Sequence, residues 1–327
     1  SQVSAGNAFT AAIKTDGTLW TWGINNFGQL GLGNKTYYSS PKQVGALTNW
    51  SVIACQNLSV VAIKTDGTIW SWGYNGNGNL GLGNVTYYSS PKQVGALTNW
   101  LKIASGSYFT TSIKTNGTLW SWGQNDQGQA GIGNTTDFSS PQQIGSQTNW
   151  QSISNGKLNS VLSIKTDGTL WSWGFNNFGQ LGDNTTNSSS SPIKVGILTD
   201  WKQISTSSTG QYSTVTKKDG TLWTWGINDY GQLGTNNTTN YSSPVQTVAG
   251  GTNWSTVGNI DSLYLSSAIK TDGTLWTWGL NSFGQLGDST STYRSSPVQT
   301  IAGGNNWKQV STGWYHTLMI REMGDDF

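Results

Sequence analysis

The chain has 327 residues with 17 basic and 15 acidic side chains, and charged residues are only 10% of it. Aromatic residues reach 12%, so the low charge signals a packed fold, since disordered chains lack aromatics. No Lys/Arg cluster suits a nucleic acid, and one His (His316) with one Cys (Cys55) excludes a Cys/His zinc site and an intrachain disulfide.

The first element is a short apolar segment ending at Ile13, followed by Asp16-Gly17 and then TLWTWG. Two Trp alternating with Leu and Thr have the period of a strand. An Asp-Gly pair between two such runs predicts a two-residue hairpin with left-handed turn residues. After WG come x-Asn, a GQLG loop and Ser-Ser-Pro, then a third strand at PKQV with Pro at its start. A fourth strand is read at NWSVIA.

The same order returns around the chain. The turn glycines Gly17, Gly67, Gly117, Gly168, Gly220 and Gly273 are 50 to 53 residues apart. The units run 1–50, 51–100, 101–150, 151–201, 202–254 and 255–307, with a partial seventh at 308–327. No helical period appears. Four antiparallel strands per 50 residues predict one all-β propeller domain over 1–327.

The strings Asp16 to Gly31, Asp167 to Gly182 and Asp272 to Gly287, with Val310 to Thr317, resemble the RCC1 repeat (regulator of chromosome condensation). That resemblance covers nearly the whole chain and implies a propeller, usually of seven blades. It also implies that the strand before the Asp-Gly turn lies nearest the central channel. Seven such strands, ending at Ile13 through Ile320, favour seven blades over six. Gln2–Ala5 is expected to supply the outer strand of the closing blade. The family's His-Thr pair survives only at His316-Thr317, where the His is expected to pack structurally.

Eighteen of the 19 Trp recur at fixed positions and read as framework, leaving Trp314 off-pattern. Lys14, Lys64, Lys114, Lys165, Lys218 and Lys270 flank the turns. The turn Asp residues are read as tolerating left-handed backbone, not as acids. No catalytic group, metal site or cofactor is expected, since the only His and the only Glu both lie in the closing segment.

Variation concentrates between GQLG and Ser-Ser-Pro. That rim gives the candidate binding residues Tyr38, Tyr88, Phe138, Tyr241 and Arg294, joined by Asp126, Asp229 and Trp314. Charge-poor, nearly identical units suggest a structural or adhesive propeller outside a cell, on a virus particle or bacterial surface. Its expected partners are coat or surface proteins or a host glycan, as part of a larger assembly, with no nucleic acid and no membrane insertion. No secretory h-region opens the chain, which fits a virion component better than an exported one. The alternative is a cytoplasmic regulator or scaffold acting on a small GTPase.

Overall fold

A computed structural model of the chain describes residues 2–207, 209–260, 264–312 and 316–321. All regular structure among them is β-strand. Six four-stranded sheets occupy 2–43, 50–93, 100–143, 150–194, 201–246 and 254–299. A seventh, smaller sheet contains Trp307–Thr312 and Thr317–Arg321, with the two-residue strand Asn259–Ile260 running parallel to the former. This series is the propeller-blade repetition that the sequence predicts, and it is consistent with seven blades. The chain forms two compact units, 1–155 and 156–327.

The second to sixth sheets each start on a Trp. In the second sheet Trp50–Cys55, Ser59–Lys64, Ile69–Gly73 and Tyr88–Gln93 pair in that order. The strand before the turn therefore has a neighbour on both sides and is fully buried, so it is not the innermost strand. Gln2–Ala5 pairs with Phe9–Ile13 and makes the first strand of the first sheet, not an outer strand of the seventh. Its backbone extends the antiparallel ladder, and the short Gly6-Asn7-Ala8 link makes that pairing local.

Pro does not open the outer strand. Tyr38–Gln43 begins three residues before Pro41. Pro41 lies where the register to Leu19–Gly23 shifts, between the Lys42 and Tyr38 pairings. An edge strand with a bulge tolerates the missing donor there.

The turn differs from the two-residue form as well. Gly17 N–H donates to Lys14 C=O and Lys14 N–H to Thr18 C=O, at 3.0 Å each, closing a three-residue loop. Only Gly17 is left-handed, with φ +77°, and a Cβ there would lie 2.0 Å from Thr48 O. Asp16 instead accepts from the Thr18 N–H at 2.9 Å and its hydroxyl at 2.6 Å. The Thr18 hydroxyl in turn accepts from the Trp20 indole at 2.8 Å. Asp, Thr and Trp thus form one relay, repeated at Asp66, Thr68 and Trp70.

The core lies between consecutive sheets. Phe9, Leu19, Leu30 and Val44 meet Trp50, Ile53, Val60 and Trp72 in one cluster. The indole of Trp72 donates to Gln29 C=O of the preceding sheet, and Trp122 to Asn79 C=O. In the second unit Trp225 and Trp278 donate to Gln180 and Gln232 in the same way. Each large ring thus carries both apolar area and a satisfied donor across the sheet boundary.

Framework lysines lie over these rings. Lys114 Nζ is 3.5 Å from the Trp120 centroid and 4.4 Å from that of Trp100. In the fifth sheet this place belongs to Lys217, not Lys218. Lys217 stands over Trp223 and pairs with Asp200 at 2.9 Å. His316 is exposed, so it does not pack in the core as the repeat pattern suggests. The strand that follows it, Thr317–Arg321, is the thinly covered strand of the seventh sheet.

Candidate binding face

Antiparallel pairing puts the links 6–8, 56–58 and 106–108 at the same end of their sheets as the loops after each WG. At that end the first unit gathers four aromatic rings from three consecutive repeats. Phe27 follows the first WG-x-Asn, Tyr74 directly follows the second WG, Tyr87 precedes an outer strand, and Tyr108 precedes Phe109–Lys114. Centroids are 5.4 Å apart for Phe27–Tyr74, 5.7 Å for Phe27–Tyr87, 4.9 Å for Tyr74–Tyr87 and 5.4 Å for Tyr74–Tyr108. Edge and tilted geometries suit rings at these distances. Tyr87 is exposed and the other three are half-buried.

Local sequence explains the placement of Tyr74. A Cβ at Gly76 would lie 2.1 Å from the Tyr74 hydroxyl. Other copies carry Asn26, Asp126 or Asn177 there, so the missing side chain lets this ring lie across the loop. Burial holds the Tyr74 phenol above its ordinary value, and the neighbouring Tyr87 and Tyr108 push the same way. The hydroxyl stays neutral at physiological pH.

The second unit has a related group. Tyr230 lies 4.6 Å from Tyr264 and 5.4 Å from Tyr293, while Phe175 and Phe178 are 6.1 Å apart. Burial, with Tyr230 and Asp229 nearby, raises the Tyr264 pKa. Phe283, at the position of Phe27, is 68% exposed.

The rim residues picked out by sequence variation are not members of these ring groups. Tyr38 and Tyr88 are half-buried and pack against the core between the first two sheets. Tyr241 packs on two core clusters, and its hydroxyl accepts from Asn237 at 3.1 Å. Phe138 is half-buried at the start of its outer strand. Arg294 Nε pairs with Asp288 at 2.7 Å. Asp126 and Asp229 are exposed on the WG-x-Asn loops. Trp314 lies outside the described residues.

The aromatics that face outward are one residue earlier: Tyr37, Tyr87 and Tyr293. Tyr37 donates to Asn26, and the Tyr293 hydroxyl meets Ser282 at 2.9 Å. Strand alternation was the available signal. Of two adjacent aromatics entering a strand, one faces the core and the other faces away. The position of Phe27 recurs as Phe178, Tyr230 and Phe283, a signal the sequence did carry, whereas that of Tyr74 varies through Ile24, Gln124, Phe175, Ile227 and Leu280 and carried none.

The sequence was compared with known proteins. The family model of the RCC1-like domain matches residues 1–260, and that of the RCC1 repeat matches residues 272–320. The chain is 31% identical to the human E3 ubiquitin-protein ligase HERC2 over 159 residues, 48% of this chain and 3% of that protein. It is 30% identical to the Arabidopsis thaliana ultraviolet-B receptor UVR8 over 168 residues, 50% of this chain and 38% of that one. The matches thus span well under half of these relatives. Human WBSCR16 superposes with a TM-score of 0.80 at 20% identity, covering 98% of this chain and 86% of its own. Yeast RCC1 (Prp20), solved bound to Kap60, superposes equally at 18% identity, covering 99% and 81%. At these identities the structural likeness speaks for fold alone. With a model matched over most of its length and the repeat continuing beyond, the chain belongs to the RCC1-like domain family, and its fold is the RCC1-like β-propeller.

Proposed function

We propose that this protein is a non-catalytic propeller that binds other proteins, working as an intracellular regulator or scaffold. The observation that carries the reading is the cluster of Phe27, Tyr74, Tyr87 and Tyr108 at one end of three consecutive sheets. Clustered aromatics are the residue types that dominate protein–protein contact energies. The family supports it. Yeast RCC1 (Prp20) binds Kap60 in its crystal structure, and Prp20p from Saccharomyces cerevisiae has binding properties to Gsp1p and histones. Display on a virus particle or bacterial surface has no counterpart among these relatives, and it gives way to the regulator-or-scaffold reading.

The test compares quantitative affinity capture by the unaltered chain and by a Tyr74→Ala/Tyr87→Ala variant of equal thermal stability. The expected result is a defined protein set depleted at least about tenfold by the double substitution. A nucleotide-release assay on small GTPases, run beside it, separates exchange activity from scaffolding. Binding confined to a glycan array, with no protein lost from the variant, would overturn the reading.

A further inference from the structure

The carboxylates of this chain are almost all engaged. Turn Asp residues accept from the Thr two positions on. Asp137 and Asp183 accept within their own loops, and Asp200 and Asp288 pair with Lys217 and Arg294. Among the described residues, Asp229 is the one carboxylate with neither a hydrogen bond nor an ion pair, and it is exposed. Every Lys and Arg of the chain lies within the described residues, and none pairs with it.

Asp126 holds the same repeat position and shows the alternative. Its carboxylate folds back on its loop and accepts from the Gln129 amide at 3.2 Å. The matching amide nitrogen in the fifth sheet, Gln232 Nε2, is buried with no acceptor. The Asp229 carboxylate is therefore not folded back in this way.

Aromatic rings lie beside it instead. Tyr230, the next residue, has its ring centroid 4.6 Å from that of Tyr264 with the planes 38° apart. The Tyr293 ring meets Tyr230 at 5.4 Å and 72°. Tyr230 and Tyr264 are half-buried and Tyr293 is exposed. Asp229 is close enough to help raise the Tyr264 pKa, so its charge is felt within the ring group. The first unit has Asn26 before Phe27, and no charge at that place.

Ring faces attract cations, and an unpaired carboxylate beside them adds a full opposite charge. Shape selects among cations. A quaternary ammonium needs a box of rings around it, whereas Tyr230 and Tyr264 are in contact and leave no room between them. A planar guanidinium stacks on the open face of a ring, and its N–H fork can meet a carboxylate at the ring's edge.

We propose that Asp229, with Tyr230, Tyr264 and Tyr293, forms a receptor for an arginine side chain of a partner protein. The guanidinium stacks on the rings and donates two N–H groups to the Asp229 carboxylate. The site lies in the second unit and rests on the protein-binding reading only for the source of the arginine. Its test leaves the cluster around Tyr74 untouched, so the two can fail separately.

The test uses the 327-residue chain carrying 3-fluorotyrosine, titrated with Nα-acetylarginine amide and followed by fluorine NMR. Single Tyr→Phe variants assign the signals. The expected result is saturable shifts at Tyr230, Tyr264 and Tyr293 with a dissociation constant in the range of about 1–10 mM. Asp229→Asn should weaken binding at least about fivefold, and Tyr230→Leu should do the same. Asp137→Asn removes the same charge from an exposed loop carboxylate and installs the residue type that Asn240 supplies in the fifth sheet, where it accepts from the Asn228 N–H. That variant should bind as the unaltered chain does. Nα-acetyllysine amide should bind at least about threefold more weakly than the arginine compound. Undiminished binding by Asp229→Asn, equal binding of the lysine compound, shifts spread evenly over all tyrosines, or no saturation by roughly 50 mM would each overturn the proposal.

Discussion

The Ser59 hydroxyl donates to the side-chain carbonyl of Gln56, and together the pair fills the place taken in the next sheet by the Phe109 ring over Gly106. A Cβ on Gly106 would lie 1.9 Å from that ring, and one on Gly6 would lie 2.0 Å from the ring of Phe9. Glycine at the first position and a large ring at the second are therefore one choice. Gln56 with Ser59 is the other, and its amide reaches on to Phe109 C=O at 3.0 Å and the Thr110 hydroxyl at 2.8 Å. Asn79 completes the network, donating to Gln56 at 2.7 Å and to Ser59 at 2.9 Å.

This exchange predicts strong coupling. Ser59→Phe alone should clash with Gln56 and cost about 1–3 kcal/mol. Gln56→Gly alone leaves a cavity and takes the acceptor from the Ser59 hydroxyl, at a similar cost. The double variant should recover much of the loss, giving a coupling of at least about 1 kcal/mol in urea denaturation. Simple additivity would contradict the exchange.

The lysines over the Trp rings should differ by context. Burial lowers the Lys114 pKa, because its ammonium loses part of its water between the two rings. Lys114→Met keeps the apolar stem between Trp100 and Trp120 and should change stability by less than about 1 kcal/mol. Lys114→Ala opens a gap between two rings and should cost about 1–3 kcal/mol. Lys14 is exposed over Trp20 alone, so Lys14→Ala should cost less than about 0.5 kcal/mol. Equilibrium unfolding of the variants ranks them.

Acid should weaken the protein through its turns. Hydrogen bonds from the Thr side chain and backbone two residues on hold Asp16, Asp66, Asp167, Asp219 and Asp272 below their ordinary value of 3.8. A carboxyl whose folded pKa is depressed adds stability that is complete above the unfolded value. That stability is lost as pH falls through the folded one. The unfolding midpoint should therefore hold down to about pH 4 and fall below it. Asn116 already serves the third turn, accepting from Thr118 at 3.2 and 2.8 Å. Converting the five Asp to Asn should flatten the acid limb while keeping the fold, as read by circular dichroism.

Gly76→Asp, which restores the residue of the third copy, should turn Tyr74 out of its cluster with little loss of stability. The obstacle is the far end of a rotatable side chain, not backbone. The Tyr74 phenol should then titrate closer to its ordinary value of 10.0, because the burial that raises it is relieved. Spectrophotometric titration against Tyr74→Phe checks this.

Much was legible in the sequence because the chemistry is local. The 50-residue period, the Trp-x-Trp alternation and the Asp-Gly turn are each set by residues within a few positions of one another. So are the strands they define and the framework role of the Trp. Even there, the relay from Trp20 through Thr18 to Asp16 replaced the left-handed Asp that the dipeptide suggested. What only the tertiary structure decided is which strands and which rings of the chain meet. Gln2–Ala5 joins the first sheet because Phe9–Ile13 has an open ladder there. Tyr37 and Tyr87 face outward while Tyr38 and Tyr88 face the core, because strand register places one of each pair beneath its neighbours. The ring cluster around Tyr74 draws on three repeats, and no single copy of the repeat holds more than two of its members. A periodic sequence fixes what each unit is, since every copy obeys the same local rules. The contacts that distinguish one copy from another lie across unit boundaries, where packing decides them.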